Sequence, residues 1–79
     1  MLTDPEIDQF VTAAADMALM FAGVPEQEML CALYDVREGM KAEMRKNLAE
    51  DVAEFIAAAF CATVILRRRE IGEPVQELN

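Results

Sequence analysis

The side chains that could do covalent or acid–base chemistry here are few: Cys31 and Cys61, the single Tyr34, and a surplus of carboxylates. Histidine is absent and no serine occurs anywhere in the chain. Ser-His-Asp and Cys-His chemistry, the Glu-x-x-His di-iron pattern and His-ligated zinc are therefore removed. A cysteine nucleophile would need a thiolate stabilised by its own surroundings. On a helix, Cys31 has Glu28 and Asp35 as neighbours at three and four residues, and like charge disfavours the thiolate. Cys61 is flanked by Ala57, Ala58, Val64 and Ile65, and an apolar setting disfavours it too. Both thiols read as inert, and two cysteines are too few for a disulfide scaffold.

The charged clusters yield no stronger site. Glu50, Asp51 and Glu54 lack the Asp-x-Asp-x-Asp-Gly spacing of a calcium loop, and a rigid helix spaces their oxygens poorly for a shared cation. The Arg67, Arg68, Arg69 run is explained by a helix C-terminus, where bases complement the dipole and cap orphan carbonyls. The segment MALMFAGVPEQEMLCALYDV has the outline of a helix-turn-helix, but its second helix would open on Glu26, Gln27 and Glu28, where a recognition helix needs donors. The chain resembles the acyl carrier proteins in being small, acidic and helical, yet it lacks the serine that carries their phosphopantetheine arm. No enzyme activity, cofactor or metal is expected.

Composition points to a folded, acidic, single-domain protein. The 79 residues are 54% hydrophobic with a net charge of −8, too apolar for a disordered acidic tail. A chain of this size buries only about 60% of the surface its unfolded form exposes, so self-association or a partner would help it. Residues 1 to 36 carry seven acids (Asp4, Glu6, Asp8, Asp16, Glu26, Glu28, Asp35) and no base. Such a surface repels nucleic acid and anionic membranes and attracts basic proteins. MLTDPEID is acidic where a signal peptide needs bases, and the apolar run 52–66 falls short of the roughly 18 to 20 residues of a membrane span. A cytoplasmic location without membrane contact is expected.

The elements that must position these residues read as three helices, at about 4–22, 25–46 and 48–71, in one all-α domain over 1–72 with a short acidic tail at 73–79. Thr3 or Asp4 caps the first helix, Pro5 fits its N1 position, and Gly23 stops it. Its core stripe is Ile7, Phe10, Val11, Ala14, Met17, Ala18 and Phe21, which leaves Leu19 and Met20 as surplus apolar surface. In the second helix the stripe Met29, Leu33, Val36, Met40, Met44 runs in phase across Gly39, so the helix is expected to pass through that glycine, with Arg45 and Lys46 in its last turn. Asn47 with Glu50 resembles a capping box that would start the third helix at Leu48. A tight connection at Asn47 makes helices 2 and 3 an antiparallel hairpin.

The third helix is apolar nearly all round: from Val52 to Leu66 it carries one charge, Glu54. A helix of this kind must be covered nearly all round. Its expected core side is Leu48, Val52, Phe55, Ile56, Ala59, Phe60, Thr63 and Leu66. The strip Ala58, Cys61, Ala62, Ile65 is then left over, and with Leu19 and Met20 it forms the expected partner-binding surface. Dimerisation into a helical bundle would close it. The expected function is a non-enzymatic, acidic protein–protein interaction module, an antagonist, antiactivator or adaptor that binds a basic nucleic-acid-binding or transcription-regulatory protein. In size and charge it resembles the small antiactivators and phage-type inhibitors of bacteria and mobile elements. The alternative is a homodimeric structural or chaperone-like subunit that shields a partner helix.

Overall fold

The computed structural model describes residues 3–72. Those residues form three α-helices, α1 (Asp4–Met20), α2 (Glu26–Met44) and α3 (Glu50–Gly72), and no strand occurs among them. The first two residues and the acidic segment 73–79 lie outside the described residues.

Each helix begins and ends where local chemistry requires. Thr3 caps α1 through a reciprocal box: its Oγ1 accepts from the Glu6 backbone N–H at 3.3 Å, and its own N–H donates to Glu6 Oε1 at 2.9 Å. Two of the four orphan donors at that end are thereby satisfied. At the exit, the Phe21 N–H donates back to Met17 and Ala18, and Gly23 adopts a φ of 86°, a left-handed conformation that costs glycine nothing. Pro25 precedes α2, its carbonyl accepting from the Met29 N–H at 3.0 Å.

Helix α2 is continuous through Gly39, as its in-phase stripe requires, but it closes at Met44. Arg45 and Lys46 therefore sit in the connecting turn, and Lys41 is the base of the last helical turn. The start of α3 is two residues later than the Asn47 cap predicts. Backbone N–H groups of Asn47 and Leu48 both donate to the Met44 carbonyl, at 3.0 and 2.9 Å, so this stretch completes the exit of α2. The Ala49 carbonyl, accepting from Ala53, opens α3 instead.

Helix α1 packs against α3, and α2 packs against α3. The described residues group into two compact units, one from α1 to Gly23 together with the part of α3 from Thr63 onward, and one of Val24–Ala62. In the first, Ala14, Ala18 and Val64 are buried; Phe10, Val11, Met17 and Phe21 are half-buried on the predicted stripe. In the second, the buried side chains are Met29 and Leu33 from α2 with Ala53, Ala57, Phe60 and Cys61 from α3. Arg37 pairs with Glu54 at 3.4 Å and Arg45 with Glu50 at 3.7 Å, exposed ion pairs worth about 0 to 1 kcal/mol each.

Helix α3 is rotated relative to the sequence expectation. Phe55, expected in the core, is 73% exposed, and Leu66, Val52 and Leu48 are exposed with it. Cys61, expected on the surface, is buried. The inward set is Ala53, Ala57, Phe60, Cys61 and Val64. Alanine, cysteine and valine make up most of this set and Phe60 is its one large ring, while the equally large Phe55 points away.

Candidate interaction surface

Helix α3 carries two apolar stripes, each with the alternating four-and-three spacing of a heptad seam. Ala53, Ala57, Phe60 and Val64 form the inner one. The other starts at Leu48, just before the helix, and runs through Val52, Phe55, Ala59, Ala62 and Leu66. Because α3 is uninterrupted from Glu50 to Gly72, its own register places the second stripe on the side opposite the first, at 3.6 residues per turn. Leu48, Val52, Phe55, Ala62 and Leu66 are exposed, and Ala59 is half-buried.

The ends of this outer stripe differ in charge. Glu50, Asp51 and Glu54 lie in the first two turns of α3, with Asp51 on a flank of the stripe, and Arg67, Arg68 and Arg69 follow its last apolar residue, with Arg69 on that same flank. Each set complements the helix dipole, acids at the positive end and bases at the negative. Several of these charges have partners in the chain: Glu54 with Arg37, Glu50 with Arg45, and Arg67 with Glu70 at 3.2 Å. All three pairs are solvent-exposed, so they leave the surface open.

The residues expected to bind a partner are only partly brought together. Ala58 and Ala62 are exposed on α3. Cys61 turns inward, its Sγ donating to the Leu33 carbonyl at 3.5 Å, and Ile65 is half-buried. Leu19 and Met20, at the end of α1, are 59% and 76% exposed. Sequence reasoning missed Val52, Phe55 and Leu66 as outward residues. The four-and-three spacing from Leu48 to Leu66 was the available signal, but the inner stripe has the same spacing.

Reactive groups do not converge. Burial pushes the Cys61 thiol above its ordinary value, with the nearby Arg37 guanidinium acting in the opposite direction. Cys31 is exposed and Tyr34 largely so. A shallow open depression of about 310 Å³ on α1 is lined by Asp8, Gln9, Thr12, Ala13 and Asp16, and brings the Thr12 hydroxyl no base other than carboxylates. Among the described residues no group of three His, Cys, Asp or Glu side chains could hold a metal ion, and no helix is long and apolar enough to cross a membrane. No protein-family model matches the chain, and no curated protein or solved structure matches it either.

Proposed function

We propose that this protein is a non-enzymatic acidic interaction module that makes contact through the outer stripe of α3, serving as an antagonist or adaptor of a basic nucleic-acid-binding or transcription-regulatory protein. One observation carries the reading: Phe55 stands 73% exposed in an apolar stripe with the Asp51 carboxylate on its flank. A large exposed aromatic amid aliphatic neighbours is the composition of an interface anchor, and a flanking carboxylate favours a basic partner. The net charge of −8 favours the same class of partner and opposes direct contact with nucleic acid. Two free thiols suit a cytoplasmic setting.

Within this reading α2 and α3 form an antiparallel hairpin. Its support is that contact partners run in opposite directions along the chain: Leu33 with Cys61, Arg37 with Glu54, Arg45 with Glu50. The alternative reading, a homodimeric structural or chaperone-like subunit, is favoured by the opposite charges at the two ends of the stripe.

The test is affinity capture from the source cells with the wild-type chain and Phe55→Asp as parallel baits, followed by reconstitution with the purified partner. The expected result is a basic protein retained by the wild type, lost by the variant, and displaced from its nucleic acid as the chain is added. Identical captured proteins on both baits would refute the reading.

A further inference from the structure

We infer that the outer stripe of α3 is shaped for a second copy of this chain, with the two α3 helices paired antiparallel. The inference rests on the reading above that this stripe is a contact surface, and it names the first occupant.

The argument begins with register. Asp51 and Arg69 are eighteen residues apart, which is five full turns of an α-helix, so both lie on the same flank of the outer stripe. Both are exposed. When two identical helices pair antiparallel about a two-fold axis, like flanks meet, and the acidic end of each lies against the basic end of the other. Asp51 then faces Arg69 of the second copy, twice per dimer. A parallel pair would put residue 51 of each helix level with residue 51 of the other, and so leave Asp51 and Arg69 at opposite ends with no pairing.

The apolar residues fit the same register. With Asp51 level with Arg69 of the second copy, Phe55 lies level with Leu66, and Ala59 with Ala62. These are the alternating layers of an antiparallel heptad seam. Large side chains meet at the two ends, and four alanines meet at the centre, where short side chains let the helices approach closely. On the other flank, Val52 lies alongside Glu70 of the second copy. The pairing is isologous and closes on itself, so it yields a dimer and no filament.

The experiment measures mass by sedimentation equilibrium and orientation by engineered thiols. The wild-type chain should be a dimer at low salt, loosening as salt rises. Arg69→Glu should weaken it by about tenfold, through two lost pairs and two new repulsions, and the added Asp51→Arg should restore it. For orientation, Val52→Cys and Glu70→Cys are made separately in a Cys31→Ser background, since Cys61 is buried. Val52 and Glu70 also share a flank, five turns apart. Mixed and oxidised, the two variants should form a disulfide-linked pair. Val52→Cys alone should not, because its two copies would lie about 25 Å apart along the axis.

A monomer at every concentration, or Val52→Cys linking to itself as readily as to Glu70→Cys, overturns the inference. If the chain is monomeric yet Phe55→Asp still loses its basic partner, the self-pairing fails and the docking function survives. If the disulfides form as drawn while Phe55→Asp captures the same proteins as wild type, the self-pairing stands and the docking function fails.

Discussion

Phe55 and Phe60 are chemically identical residues five positions apart on one helix, and truncating each to alanine should give opposite outcomes. Phe60 is 7% exposed, so Phe60→Ala removes a buried ring and leaves a cavity, a loss of about 3 to 5 kcal/mol. A chain of 79 residues has roughly 4 to 12 kcal/mol of stability in total, so this single change takes a large share of it. Phe55 is 73% exposed, so about a quarter of an aromatic surface of roughly 200 Å² is withdrawn from water. At about 25 cal/mol per Å² that is near 1.4 kcal/mol, and the better helix propensity of alanine returns about 0.5 kcal/mol. The net cost of Phe55→Ala in an isolated chain is therefore about 1 kcal/mol. Urea titrations followed by helical circular dichroism, run at the lowest workable protein concentration, measure both. At high concentration the Phe55→Ala deficit should grow, since any assembly through the outer stripe stabilises only the wild type. A Phe55→Ala cost of several kcal/mol at low concentration, with a small Phe60→Ala cost, would mean that α3 presents its other side to the core and that the outer stripe does not exist.

Gly39→Ala should stabilise the protein by about 0.5 to 1 kcal/mol, read as a higher urea midpoint, because the residue is interior to α2 and an added Cβ meets nothing within 4 Å. A loss would show that α2 breaks at that position. The two thiols should separate in a thiol-exchange assay: exposed Cys31 reacts faster than buried Cys61, which reacts only as fast as the protein opens. Burial raises the folded Cys61 pKa above the ordinary 9.0, so the neutral buried thiol contributes its full stability below pH 9 and loses it as pH rises through the folded value. The stability gap between wild type and Cys61→Ala should accordingly be flat below pH 9 and narrow above it, and a gap that widens with pH would contradict the burial.

The ends of the first helix were legible because their signals are local. Thr3 and Gly23 act within a few residues of the backbone groups they satisfy, and nothing distant competes with them. The passage of α2 through Gly39 was legible for a different reason: apolar phase is maintained by tertiary packing, and one glycine costs less than losing that phase. Asn47 misled because the same residue sits at the end of one helix and before the next. The exit bonds to the Met44 carbonyl engage it in the first role, which shifts the start of α3 to Glu50.

The rotation of α3 was not legible, because choosing a core face by side-chain size assumes that large residues face in. Where helices approach closely the inward positions must be small, and Ala53 and Ala57 are the residues that become fully buried. Both stripes of α3 have heptad spacing, so periodicity fixed that two faces exist without saying which is covered from within the chain. Packing decided it in favour of the smaller set, leaving Phe55 and Leu66 outside. Such an arrangement gives up burial of Phe55 and Leu66, a loss that an isolated small domain can least sustain. It becomes favourable when the outer face is covered in turn, because a single helix then contributes one stripe to its own core and a second, bulkier stripe to an interface. The exposure of Phe55 and Leu66 on the outer face of α3 is thus the physical reason for proposing that this chain works through assembly.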